Sequence, residues 1–144
     1  MRHSITTSIL LPLIALLIGG CAKEPRTPTI LPAKAQSYVQ DVPVPTKFNL
    51  DESKSDSASQ AGRRNVKHFY LGNSPILSVR NFYVHNMPDA GWQIIDETLQ
   101  NGVYTLNYRK AEERCEIRIE KIPAGWFKPS TRIRATVRSP HLER

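Results

Sequence analysis

The residues best suited to chemistry in this sequence are its two cysteines, Cys21 and Cys115. A thiolate acts as a nucleophile when a base lies beside it and a third group orients that base, and no residue pattern around either cysteine supplies this. Cys115 alternates with charged residues, which predicts a small, inert apolar side chain on the inner face of a strand. Cys21 ends an apolar run, so we expect no disulfide between the two.

Other residue types used in catalysis are present but poorly spaced. The histidines of the later chain are scattered and have no cysteine nearby that would build a zinc site: His68, His85 and His141. The carboxylate pair Asp96–Glu97 consists of strand neighbours that point to opposite faces, and Glu112–Glu113 lies in a turn. No glycine-rich loop for phosphate is present. We therefore predict no catalytic residue, no cofactor, no metal site and no enzymatic activity.

One loop places aromatic residues beside a basic one and is a candidate contact for a partner or a lipid surface. Trp126 and Phe127 are adjacent, and Lys128 follows them. Such a loop can enter a lipid headgroup layer or dock on a protein. The alternative is that one ring folds back over the core.

A second candidate contact is the basic side of the last predicted strand. Arg132, Arg134 and Arg138 alternate there with apolar residues. Glu116 and Glu120 on the preceding strand would pair with these arginines if the face is an ordinary charge-compensated surface. Both interpretations stay open at the level of sequence.

The amino terminus has the order of an export signal. A basic start, Met1–Arg2–His3, precedes an apolar run over residues 9–18. Ile18-Gly19-Gly20-Cys21 then resembles the lipobox of bacterial lipoproteins, which implies a signal peptide over residues 1–20 and lipid on Cys21. The alternative, an uncleaved membrane anchor, would need a longer apolar run of about 20 residues. Ala22 after the cysteine favours the outer membrane, on its periplasmic face, over the inner membrane.

Composition changes after the cysteine. Residues 21–45 contain several prolines without a periodic apolar pattern, which predicts the lipidated cysteine followed by a flexible tether that reaches about 80 Å when extended. Residues 46–140 are expected to form one small domain. The formal net charge of +7 would suggest nucleic acid in a cytoplasmic protein. Export excludes nucleic acid and leaves anionic envelope components or acidic protein surfaces.

The pattern of the domain predicts an α+β fold. Val66–Leu71 reads as a strand, and residues 53–60 as either an edge strand or a loop. Ser74 as N-cap and Pro75 as first residue begin a helix, whose apolar stripe includes Tyr83 and Met87 and which stops at Pro88 and Gly91. Four strands follow, over residues 92–98, 103–109, 114–122 and 131–138, with an Asn101–Gly102 turn between the first two. We therefore expect an antiparallel sheet of about five strands covered on one face by a single helix.

The order of several motifs resembles a group of small bacterial lipoproteins of unknown function. The matching text is Asp41-Val42-Pro43-Val44-Pro45 with Phe48, then Tyr70 and Gly72, then Phe82-Tyr83, Met87-Pro88 and Gly91-Trp92. The resemblance implies a fold and a location but no reaction. We interpret the aromatic residues of these motifs as core side chains.

These observations lead to two functional hypotheses. The first is a lipoprotein held to the membrane through Cys21, whose non-catalytic domain binds an envelope protein as an accessory to an envelope assembly. The second is a binder or sensor of anionic lipid or glycan that uses the basic strand face and the Trp126–Phe127 loop.

Overall fold

The computed structural model describes residues 30–123 and 130–140. The predictions for the signal peptide, for Cys21 and for Trp126, Phe127 and Lys128 lie outside these residues. In chain order the described elements are β1 (Phe48–Leu50), β2 (Asp56–Gln60), β3 (Arg63–Gly72), α1 (Ile76–Asp89), β4 (Gln93–Gln100), β5 (Val103–Lys110), β6 (Glu113–Lys121) and β7 (Thr131–Arg138). The α+β class and the antiparallel sheet with one helix are confirmed for this part of the chain.

The expected number of about five strands is wrong, because the described residues contain seven. The two additional strands are short and carry little apolar pattern. All five residues of β2 are exposed, and the strand is held by its backbone ladder to the first half of β3. A tight turn joins them, with positive φ at Ala61 and Gly62. β1 has three residues and places the buried Phe48 against Gly72, where an added Cβ would lie 2.6 Å from the ring.

The strands form one antiparallel sheet in the order β1-β3-β7-β6-β5-β4, and β2 also pairs with β3. Strands β4, β5, β6 and β7 follow one another in sequence, and each pairs antiparallel with the next. The predicted Asn101–Gly102 turn is present, with φ of 51° and 75°. In this strand order β4 is an outermost strand, on the side of the sheet opposite to β1 and β2.

The sheet has one apolar face and one polar face, which we call the inner and outer faces. Buried side chains on the four central strands share the inner face by register, for example Tyr108 opposite Cys115 and Cys115 opposite Val137. The alternation predicted for Cys115, Ile117 and Ile119 is confirmed, and these three side chains are buried. Charged and polar residues between them occupy the outer face.

Helix α1 packs on the inner face across β4 and β6. Its buried residues are Val79, Phe82, Tyr83 and Met87, as the motif interpretation predicts. The capping prediction is wrong: Pro75 is the N-cap without a side-chain hydrogen bond, while Ser74 is buried and its carbonyl accepts a bond from Thr131 Oγ1. The predicted end of the helix between Pro88 and Gly91 is confirmed at Asp89, with Pro88 inside the last turn and Gly91 at a positive φ of 86° just beyond it. Among the described residues, no helix has the length and apolar character needed to cross a bilayer.

The segment before β1 completes the core beside the helix. Val39, Val42 and Val44 are buried in the same apolar cluster as the helix and sheet residues. Backbone bonds fold the segment on itself, from Lys34 N to the Val44 carbonyl at 2.8 Å and from Thr46 N to the Pro32 carbonyl at 3.0 Å. The domain therefore begins before residue 46, because apolar side chains between the prolines of the expected tether pack into the interior.

Candidate functional site

The most connected group of charges lies where β3, β5 and β6 meet the amino-terminal segment, and we call its members Asp41, Arg64, Lys110 and Glu113 the charge clamp. Arg64 donates to both oxygens of Asp41 at 2.7 Å and to Glu113 at 2.6 and 2.7 Å. Lys110 Nζ donates to Asp41 Oδ2 at 2.9 Å and to the Ala90 carbonyl at 2.9 Å. The clamp thus joins residue 41 to the sheet and to the end of α1.

Each charge in the clamp faces an opposite charge, and the ionisation of its carboxylates reflects this. Burial opposes the charge on Asp41, but hydrogen bonds from Arg64 and Lys110 outweigh it and lower the pKa of Asp41 to about 2. Hydrogen bonding from Arg64 likewise lowers the pKa of Glu113. Both groups are held as carboxylates, and neither is poised to exchange a proton near neutral pH. The clamp is a structural device.

Trp92 connects the clamp to the core. The indole is 1% exposed, and its Nε1 donates to the Asp41 carbonyl at 2.7 Å. Arg64 Cζ and Lys110 Nζ lie 5.9 and 5.7 Å from the ring centre, within the range of cation–π attraction. Asp41 and Trp92, which belong to the motifs that carry the sequence resemblance, therefore meet for a structural reason.

The residues considered for catalysis are separated or inert. Cys115 is buried, and burial raises the pKa of its thiol far above the ordinary value, which disfavours the reactive thiolate. His68 is buried with its Nδ1 3.1 Å from Tyr70 Oη, and burial lowers the pKa of the imidazole. His85 is exposed on α1, and His141 is outside the described residues. Within residues 30–123 and 130–140, no group of three or more histidine, cysteine or acidic side chains is arranged to hold a metal.

The middle of the outer face carries two arginine–glutamate pairs, which we call the paired strip. Arg132 Nε donates to Glu120 at 2.8 Å, and Arg134 Nη2 donates to Glu116 at 2.6 Å. Of the two interpretations left open by the sequence, the charge-compensated surface is the one that the structure shows for these two arginines. Arg134 Nε is buried and has no acceptor among the described residues.

The ends of the predicted aromatic loop are fixed near the start of α1. Ile122 N donates to the Ser130 carbonyl at 2.9 Å, and Ser130 Oγ donates to Asn73 Oδ1 at 2.9 Å. Trp126, Phe127 and Lys128 lie between these anchors, outside the described residues.

The outermost strand β4 exposes three apolar side chains, which we call the β4 edge. Ile94, Ile95 and Leu99 are 49%, 46% and 58% exposed. The ladder to β5 shifts register between Ile94 and Asp96, so Ile95 occupies an irregularity. One side of β4 has no neighbouring strand among the described residues. This combination leaves backbone donors and acceptors beside exposed apolar surface.

Comparison with known proteins gives one family. Residues 51–132, more than half of the chain, match the START domain-like family. The chain belongs to the START domain-like family. No curated protein and no solved structure matches it.

The part of this START domain-like chain that matches the family runs from just after β1 to the beginning of β7. It includes α1, Trp92 and the β4 edge, whereas Asp41 precedes it. The β4 edge was missed by sequence reasoning. Two adjacent isoleucines on a strand point to opposite faces, so Ile94–Ile95 was a usable signal that one of them is not covered by the core.

Proposed function

We propose that this protein is a bacterial lipoprotein, anchored through lipid on Cys21 in the cell envelope, at the periplasmic face of the outer membrane. Its START domain-like unit is a non-catalytic docking module that binds an envelope protein. The observation that carries the docking proposal is the β4 edge, with Ile94, Ile95 and Leu99 half exposed on an outermost strand.

The β4 edge has the properties used in recognition by strand addition. An added strand forms backbone hydrogen bonds along an open edge and places alternate side chains against the receiving strand. Soluble domains usually protect such edges with lysines, proline or short length. β4 is eight residues long, and its sequence QIIDETLQ contains no lysine and no proline; the register shift between Ile94 and Asp96 is its one protective irregularity. An exposed apolar edge of this length supports a docking role.

The occupant that fits this edge is an extended segment of a different protein, apolar with lysine or arginine among its residues. β4 carries Asp96 and Glu97 and no basic side chain. Glu97 is already paired with Arg80 of α1, so antiparallel pairing of two β4 strands from two copies would bring together mainly the two Asp96 carboxylates, and opposed like charges destabilise a strand pair. The Asn107 amide donates a hydrogen bond to the Asp96 carboxylate. Because the amide is neutral, the charge of Asp96 remains available to a basic residue of the partner.

The anchoring proposal gains a distance constraint from the early start of the domain. Eight residues separate Cys21 from Ile30. A chain of that length spans at most about 30 Å when fully extended. A lipid on Cys21 would therefore keep the domain close to the bilayer, where a membrane-associated envelope protein is within reach.

Site-specific photocrosslinking in cells tests the docking proposal. A photoreactive residue at position 99 of the lipidated chain should give one dominant adduct with an envelope protein. The same residue at Ala58, which is exposed on β2 at the other side of the sheet, should not give that adduct. Loss of the adduct when Ile94→Lys is added would show that the edge itself is used.

Equal crosslinking from positions 58 and 99 would contradict the docking proposal, as would an adduct that persists unchanged with Ile94→Lys. Arg132 and Arg134 are engaged by glutamates, so the alternative hypothesis of an anionic lipid or glycan site on those two arginines receives no support from the geometry.

A further inference from the structure

We propose that Arg109, Arg114 and Arg138, on the outer face at one end of the sheet, form a binding site for a single phosphate or carboxylate group. We call these three residues the arginine row. This inference does not depend on the docking proposal, but its site adjoins the β4 edge, since Ile95 and Asp96 line the same cleft as Arg114 and Arg138.

Strand register brings the three arginines together. Arg109 on β5 lies directly opposite Arg114 on β6, and Arg114 lies directly opposite Arg138 on β7. Residues opposite each other on one face have Cβ atoms about 4.5–5.5 Å apart. The three arginine side chains therefore leave the outer face from neighbouring positions on three adjacent strands.

The row lacks ion-pair partners within the described part of the chain. Each of the three residues is exposed, and none forms an ion pair with a described residue. Like charges directly opposite each other disfavour strand pairing. A bound anion would remove this repulsion, and the planar guanidinium fork is well suited to hold phosphate or carboxylate oxygens in pairs.

The surface beside the row is concave. A cleft of about 530 Å³ is bordered by Arg114 and Arg138 together with polar groups of Asn107, Thr136 and Ser139. The carboxylates of Asp96, Glu112 and Glu116 also border it. An extended polyanion would meet these carboxylates, so the site suits a ligand with one compact anionic group whose remaining part is neutral or cationic.

The same anionic chemistry occurs on small soluble molecules and on phospholipid headgroups, and one experiment separates them. The thermal midpoint of the full lipidated chain in maltoside micelles is measured against inorganic phosphate at constant ionic strength. A second series replaces phosphate by micelles doped with phosphatidylglycerol or, for comparison, phosphatidylcholine. A ligand that binds the folded state raises the midpoint.

We expect a rise in the midpoint that Arg114→Gln and Arg138→Gln shift to at least tenfold higher ligand concentration. Arg118→Gln is the matched control, since Arg118 lies on the same face and strand, between Glu116 and Glu120, and it should leave the midpoint of the titration within twofold. A rise with phosphate alone assigns a soluble ligand, and a rise with phosphatidylglycerol alone assigns a headgroup. No rise in either series, or an equal loss with Arg118→Gln, overturns the proposal.

Discussion

The charge clamp and the arginine row occupy opposite faces of the same end of the sheet. They differ in whether their arginines have carboxylate partners. Lys110 and Glu113 of the clamp are sequence neighbours of Arg109 and Arg114 of the row. Alternate strand residues point to opposite faces, so these neighbours lie on different sides of the sheet. On one face Arg64 pairs with the carboxylates of Asp41 and Glu113, and on the other the row has no ion-pair partner among the described residues. Arginines with carboxylate partners stabilise the fold, whereas arginines without an ion-pair partner are available to bind an anion.

Breaking the clamp at its centre should have the largest effect. Arg64→Ala leaves the carboxylates of Asp41 and Glu113 without their fork of donors, so we expect a loss of about 3 kcal/mol in the free energy of unfolding. Arg63→Ala is the matched control, because Arg63 is the exposed neighbour on β3 and should change stability by less than about 0.5 kcal/mol. Urea unfolding of both variants gives the comparison, and similar losses would contradict a special role for Arg64.

Acid should weaken the clamp in a defined range of pH. The pKa of Asp41 is about 2 in the folded chain against an ordinary value of 3.8, so its stabilisation is present above pH 3.8 and is lost as pH falls toward 2. We expect this residue to contribute about 1–2 kcal/mol at neutral pH. Unfolding free energies at pH 6, 4 and 3 should fall for the natural chain and fall less for Asp41→Asn. Parallel profiles would show that Asp41 does not carry the effect.

The arginine row should respond weakly, and in the opposite direction. Without added anion, Arg114→Gln removes a repulsion and should leave the free energy of unfolding unchanged or raise it by up to about 0.5 kcal/mol. Glu120→Gln in the paired strip removes the partner of Arg132 and should lower stability by about 0.5 kcal/mol. No loss with Arg114→Gln beside a loss with Glu120→Gln, measured by chemical denaturation at low salt, would confirm the contrast. A loss with Arg114→Gln as large as that with Glu120→Gln would mean that the row is compensated after all.

Sequence patterns located the parts of the fold that depend on burial. The alternation of Cys115, Ile117 and Ile119 located β6, and the apolar stripe with Tyr83 and Met87 located α1. β2 was left open between strand and loop because its ladder needs backbone groups and no apolar side chain. The burial of Val39, Val42 and Val44 was missed because they lie among prolines, which mark an extended chain whether it is packed or free.

The candidate sites depend on neighbours that sequence does not display. The glutamate partners of Arg132 and Arg134 were predictable because all four residues alternate on two consecutive predicted strands. The arginine row was not, since Arg109, Arg114 and Arg138 lie on three strands and meet only through their register. The meeting of Asp41 with Arg64 and Lys110 likewise joins distant segments, and a single sequence gives no pairing between them.

The central claim is that lipid on one thiol holds this domain close to a membrane, and the intact mass of the native protein purified from membranes tests it most directly. The account predicts a chain that begins at Cys21 and carries the added mass of acyl groups, and it predicts that Cys21→Ser abolishes both the cleavage and the membrane retention. An unmodified chain that begins at Met1, or a serine variant that stays equally well in the membrane fraction, would contradict the account.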